Sequence, residues 1–255
     1  MTLRTAANLP TPAVWVLGVP IHNVTVAEAC ALAEELILGG GVHQFATVNP
    51  EFIMAAQRDT AFMETLRRTA LNVPDGVGVL WAARRRGVVL RERVPGVELV
   101  QALCAMASAH RWRVFFLGAR EGVAAKAAGE MALRYPGLVV AGTFAGSPRH
   151  DEALGIVARV RAAQPHLLFV AYGAPAQDKW LAQHLPLIAP DRNEGLVGMG
   201  VGGTFDFIAG VQRRAPSWVQ QVGLEWLYRL WRQPWRWRRQ TVLLSFAWRA
   251  MLKSS

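Results

Sequence analysis

His166-Leu-Leu-Phe-Val-Ala-Tyr-Gly173-Ala-Pro-Ala-Gln177-Asp-Lys-Trp180 reads as a buried strand, a tight turn and the opening of a helix. Its apolar run is continuous rather than alternating, which is the pattern of a strand covered on both faces. Further strand candidates recur at 13–19, 42–48, 113–118, 138–144 and 195–201, and most of them share this pattern. Between them lie helical stretches with recognisable ends. Thr25-Val-Ala-Glu28 is a capping box, and the helix it opens stops at Gly39-Gly40-Gly41. Asn49 followed by Pro50 is a cap and first-turn pair. Further helices are predicted over 97–110, 123–134, 151–162 and 177–184. Strands alternating with helices of this length predict an α/β, Rossmann-like sandwich with a mostly parallel sheet.

The composition is globular, about half apolar and under a fifth charged. Cys30 and Cys104 fall in predicted helices with no metal-type spacing, so a reducing compartment is expected rather than a disulfide framework. The run at 13–19 reads as a first strand rather than a signal peptide, because no small-residue cleavage site follows it. No apolar stretch reaches the roughly 18 residues that span a bilayer. A cytoplasmic protein is expected.

Charge is unevenly placed. Of the net +10, +8 lies in 212–255, where nine basic residues face Glu225 alone. Six of the ten tryptophans share that tail. A boundary is therefore placed there, giving a near-neutral body over 1–211 and a basic, helical, tryptophan-rich appendage over 212–255.

In parallel sheets ligands bind outside the carboxyl ends of the strands. Polar residues that follow strands are Thr47-Val48-Asn49, Pro74-Asp75-Gly76 and the turn leading to Gln177. Asp75 sits between the short apolar piece 71–73 and a helix beginning near Val77. A carboxylate there is held as the anion and suits a general base, although a plain turn residue has the same appearance. Asn49 is also a sufficient helix cap, and Gln177 also suits a solvent-facing first turn. Gly198-Met-Gly200-Val-Gly202-Gly203 matches the dinucleotide fingerprint in form. No second strand or ribose-binding acid follows it, which argues against a nicotinamide site and leaves a phosphate-binding turn or a tight strand exit. Arg84-Arg85-Arg86 through Arg93 reads as a solvated basic loop, with diphosphate contact as the alternative.

After Pro216 the residues Val219, Val222, Trp226, Leu227, Leu230 and Trp231 recur at helical steps as one apolar face. Arg229, Arg232, Arg236 and Arg239 also recur on one side, and Pro234 is expected to kink the helix. Indoles at the headgroup level and arginines near anionic lipid suit docking on a membrane surface. The same chemistry suits nucleic acid, but an apolar face of this breadth favours lipid or packing onto the body.

From about Leu17 to Arg239 the chain resembles the WecG/TagA/CpsF family of bacterial glycosyltransferases. The resemblance rests on Leu17-Gly-Val-Pro-Ile, Thr47-Val-Asn49-Pro-Glu, Pro74-Asp75-Gly76-Val-Gly, Phe116-Leu-Gly-Ala and Gly173-Ala-Pro-Ala-Gln177-Asp-Lys-Trp. Most specific are Val201-Gly-Gly-Thr-Phe-Asp-Phe-Ile-Ala-Gly, Arg214-Ala-Pro-Ser-Trp218 and Gly223-Leu-Glu-Trp-Leu-Tyr-Arg-Leu. It implies a Rossmann-like fold with a C-terminal appendage and an inverting transfer that needs no metal or other cofactor. In the best-known members UDP-N-acetylmannosamine donates to undecaprenyl-diphosphate-linked N-acetylglucosamine during teichoic acid or enterobacterial common antigen synthesis. The resemblance places the catalytic base on Asp75 and pocket residues on Thr47, Asn49, Arg93 and Gln177. It places the arginines that neutralise the departing diphosphate on Arg229, Arg236 and Arg239. It also implies peripheral attachment to the inner face of the cell membrane, and leaves a homo-oligomer open. Asp178 departs from the pattern, which expects glutamate after the glutamine, and the tryptophan and arginine content of 231–237 exceeds it. Two rivals carry their own tests: a nucleotide-dependent oxidoreductase would bind NAD(P)H, and a nucleic-acid-binding module would ignore liposomes.

Overall fold

Six strands pair in parallel in the order β4-β3-β8-β7-β5-β6: β3 (Val42–Val48), β4 (Leu71–Pro74), β5 (Arg113–Gly118), β6 (Val139–Phe144), β7 (Leu167–Ala171) and β8 (Leu196–Gly200). This is the computed structural model of the chain, in which residues 9–189, 194–212, 215, 216, 219, 228 and 237–252 are described. Every residue of the central strands β7 and β8 is buried, as a continuous apolar run requires. The edge strand β6 is only partly covered.

Helices cover both faces. α1 (Val26–Gly39), α5 (Gly96–His110), α6 (Val123–Arg134) and α9 (Thr204–Ile208) share one side. α2 (Pro50–Ala56), α3 (Thr60–Arg68), α7 (His150–Ala163) and α8 (Ala176–Ile188) share the other. Right-handed crossovers account for this division, because the chain runs rightward along the sheet over one face and leftward over the other. Phe116 of β5 anchors the core on the α5 side, with ring centroids 5.7 Å from Phe169 and 5.4 Å from Phe205. α4 (Val77–Arg84) follows β4.

The cap signals hold at atomic level. Thr25 and Glu28 form the reciprocal capping box, with Thr25 N–H donating to Glu28 at 2.9 Å. Arg91 then pairs with Glu28 at 2.6 Å and donates to the Asn23 carbonyl, so it fastens the basic loop to the start of α1. Asn49 caps α2, accepting from Phe52 N–H at 3.1 Å.

Two segments differ from expectation. The run 13–19 is not one strand of the main sheet. It breaks into β1 (Val14–Val16) and β2 (Val19–Ile21), an antiparallel hairpin. Leu17 and Gly18 both take left-handed backbone angles, φ 49° and 83°, which turn the chain back in two residues. The piece 71–73 proves to be edge strand β4. The hairpin side covers its outer edge: His22 N–H donates to the Asn72 carbonyl at 3.0 Å, and Asn72 N–H donates to His22 Nδ1 at 2.9 Å.

Of the tail, the expected apolar face over 219–231 lies outside the described residues apart from Val219 and Tyr228, as does the expected kink at Pro234. The last helix, α10 (Trp237–Leu252), packs against α2 and α4. Phe246 and Ala250 are fully covered there and join the core beneath the hairpin.

Candidate active site at the carboxyl ends of the sheet

The parallel register between β3 and β4 sets Thr47 beside Val73 and Val48 beside Pro74. Asp75 N–H donates to the Val48 carbonyl at 2.8 Å, which extends the pairing one residue past the strand. Asp75 therefore lies beside Asn49, the two following adjacent strands. Gly76, at φ 108°, turns the chain immediately afterwards and takes the cap position of α4. Asp75 precedes the cap rather than filling it, so the ordinary capping role belongs to its neighbour. It is half-buried.

Two helix starts converge on this point. A Cβ on Gly78 would lie 2.7 Å from Pro50 Cγ and 3.6 Å from Phe246 Cε1. The first turn of α4 therefore presses on the first residue of α2 and on the inner face of α10. Asn49 spends its Oδ1 on the α2 cap, and its Nδ2 has no protein partner among the described residues. Val94 N–H donates to the Pro74 carbonyl at 2.8 Å, which holds the half-buried Arg93 alongside the end of β4. Thr47, Asn49, Asp75 and Arg93 are thus brought together by the ends of β3 and β4.

Gln177 occupies a different position from the one its first-turn location suggests. It is 1% exposed, and its Oε1 accepts from Gly173 N–H at 3.0 Å and Gly202 N–H at 2.9 Å. It clamps the turn after β7 to the turn after β8. The glycine run is explained by the same packing. A Cβ on Gly200 would lie 2.6 Å from Gln177 Nε2 and 2.8 Å from Asp178 Oδ1, while one on Gly198 would lie 2.8 Å from Leu181. These glycines let α8 approach β8. Among the described residues β8 leads only into the five-residue α9, not into a second βαβ unit.

Asp178 is wholly buried beside this clamp, and desolvation pushes its carboxyl up to about 7. The Gln177 amide lies close enough to oppose that shift, but neither oxygen reaches hydrogen-bond geometry with a partner. Lys179 of the same helix pairs with Asp59, the N-cap of α3, at 2.6 Å.

Arg229 and Arg236 lie outside the described residues, and Arg239 falls in the first turn of α10. One further candidate was not singled out in the sequence. Thr204 opens α9 directly after β8 and lies near Thr47. The rule that picked out Thr47, a polar residue near the carboxyl end of a strand, extends to it, since only Val201, Gly202 and Gly203 separate it from β8. Among the described residues no group of three or more His, Cys, Asp or Glu side chains is arranged to hold a metal ion, and no helix is long and apolar enough to cross a membrane.

A six-stranded parallel sheet with helices on both faces is a Rossmann-like α/β fold, and the polar residues at its strand ends are candidates for a ligand site. The comparisons narrow the class. The model of the glycosyl transferase WecG/TagA/CpsF family matches residues 14–255, and the chain belongs to that family. It is a glycosyltransferase. A Bacillus subtilis (strain 168) protein named N-acetylglucosaminyldiphosphoundecaprenol N-acetyl-beta-D-mannosaminyltransferase is 33% identical over 202 residues, 79% of this chain and 76% of that protein. A Staphylococcus aureus (strain NCTC 8325 / PS 47) protein of the same name is 30% identical over 231 residues, 90% of this chain and 87% of that protein.

Proposed function

We propose that this enzyme transfers N-acetylmannosamine or a related hexose from a UDP-sugar to an acceptor sugar carried on polyprenyl diphosphate, for a cell-surface polysaccharide or teichoic acid. The relatives' names supply the acceptor class and the sugar. The observation that carries the chemistry is the placement of Asp75, ahead of the α4 cap and beside Asn49, where two helix starts meet.

In this reading Asp75 takes the proton from the acceptor hydroxyl as that oxygen attacks the anomeric carbon. The bond from that carbon to the diphosphate oxygen breaks on the opposite face, UDP departs, and the configuration inverts. Thr47, Asn49 and Arg93 bind substrate around the carboxylate, and Gln177 keeps the two neighbouring turns in register. Arginines of the appendage, Arg229, Arg236 and Arg239, offset the charge of the departing diphosphate by bidentate contacts in place of a divalent ion. The body 1–211 and the appendage 212–255 are separate parts of one site in this scheme. α10 supports it by seating on the two helices that flank Asp75.

The outer side of α10 supports attachment to the inner membrane surface. Leu244, Trp248, Met251 and Leu252 are exposed at helical spacing on the side opposite Phe246 and Ala250. A helix seated by one face with an apolar stripe on the other suits an interfacial anchor.

A donor screen tests the proposal: UDP release from a panel of UDP-sugars with a lipid-diphosphate-linked N-acetylglucosamine acceptor, with and without chelator. Release from one UDP-sugar that survives chelator, with inverted product, is expected. Retention of configuration, or strict dependence on magnesium or manganese, sinks the mechanism.

A further inference from the structure

Thr47, Thr204 and Gly96 meet at one point below the strand ends. Gly96 is the first residue of α5, a helix of 15 residues whose cap position, Pro95, offers no side-chain hydrogen bond. A Cβ on Gly96 would lie 3.6 Å from Thr47 Oγ1 and 3.7 Å from Thr204 Oγ1. The two threonines are 6% and 4% exposed, and neither hydroxyl has a hydrogen-bond partner among the described residues. The first N–H groups of any helix lack a partner within it, and a hydroxyl beside them can donate to the same ligand. Glu98, the acid of this first turn, is engaged in an interaction of its own.

An uncapped helix start facing two unpartnered hydroxyl donors is a site for an oxyanion. We propose that the α5 N-terminus, with the hydroxyls of Thr47 and Thr204, holds the diphosphate of one of the two substrates. The proposal rests on the glycosyltransferase reading, which supplies two diphosphate esters, one in the donor and one in the lipid acceptor. Val94, two residues before Gly96, is bonded to the Pro74 carbonyl, so a diphosphate held here lies next to the Asp75 turn. Gly96 is then more than a packing residue: its missing side chain keeps the space between the helix start and the hydroxyls open.

Gly96→Ala tests this cleanly. The added methyl meets its neighbours at ordinary contact distances, Gly96 has no left-handed backbone angle, and alanine favours a helix over glycine. The full chain is titrated with UDP, with uridine and with farnesyl diphosphate, and its melting temperature is measured alongside. We expect an unchanged or higher melting temperature, an affinity for one diphosphate probe reduced by about tenfold or more, and unchanged uridine binding. Loss confined to UDP assigns the site to the donor; loss confined to farnesyl diphosphate assigns it to the acceptor. Thr204→Val is the second variant, removing one donor at constant volume with a several-fold loss of the same probe. Folded variants that bind both diphosphates like wild type overturn the inference while leaving sugar transfer intact. A wild-type chain that binds neither probe and transfers nothing overturns the proposed function along with it.

Discussion

Asp178→Asn separates the cost of a buried charge from every other feature of α8. The side chain is wholly buried, and desolvation is the leading cause that raises its carboxyl from the ordinary 3.8 to about 7. A carboxyl raised on folding stabilises the native state while protonated, and that stability is lost as pH rises through the folded value. The interval from 3.8 to about 7, at about 1.4 kcal/mol per pH unit, corresponds to about 4 kcal/mol. Asparagine keeps the shape and never ionises. Any penalty from its own buried amide is independent of pH. Denaturant unfolding of wild type and variant is therefore compared from pH 4 to pH 8. The stability of the variant relative to wild type is expected to rise by about 4 kcal/mol across that range, whatever its offset at pH 4. A relative stability that stays flat with pH would mean that Asp178 ionises as easily folded as unfolded, and the argument from burial fails.

Asp75→Ala is expected to lower turnover by about a hundredfold or more with the melting temperature little changed, and near-normal turnover would return Asp75 to the standing of a turn residue. Phe246→Ala removes a ring that is 2% exposed and touches the first turn of α4, so a loss of about 3–5 kcal/mol in denaturant unfolding is expected. Leu244→Glu with Trp248→Glu changes only the outer side of α10: flotation with anionic liposomes should fall sharply while the fold persists, and undiminished flotation would place the anchor elsewhere in the appendage.

The fold was legible where one physical signal dominated. Short runs rich in apolar residues located β3, β5, β7 and β8, and cap chemistry located the starts of α1 and α2 to the residue. It was illegible where two signals competed. In 13–19 apolar character suggested a single strand, and only the left-handed angles at Leu17 and Gly18 divide it. β4 is four residues long, too short for its pattern to separate a strand from a turn approach. Among candidate site residues, Thr47, Asn49 and Asp75 were picked out by the rule about strand ends, and the register of β3 and β4 puts their backbones at adjoining strand ends. The role of Gln177 does not follow from it. A glutamine in a first turn looks the same whether its carbonyl faces solvent or receives two backbone N–H groups from separate loops.

The packing around Gln177 shows why the chain matches the dinucleotide pattern in form without being a nicotinamide site. That fingerprint needs glycine where backbone approaches a pyrophosphate, but here Gly198 and Gly200 are needed where α8 approaches β8. Close approach of any kind selects glycine, so the pattern records proximity and not its cause. The same reasoning runs in the opposite direction at Gly96. A side chain there would meet no clash, and an alanine would serve the helix better, so packing gives no reason for the residue. Glycine at Gly96 is neither conformationally nor sterically required, and the proposed diphosphate beside the hydroxyls of Thr47 and Thr204 supplies a reason for it that packing does not.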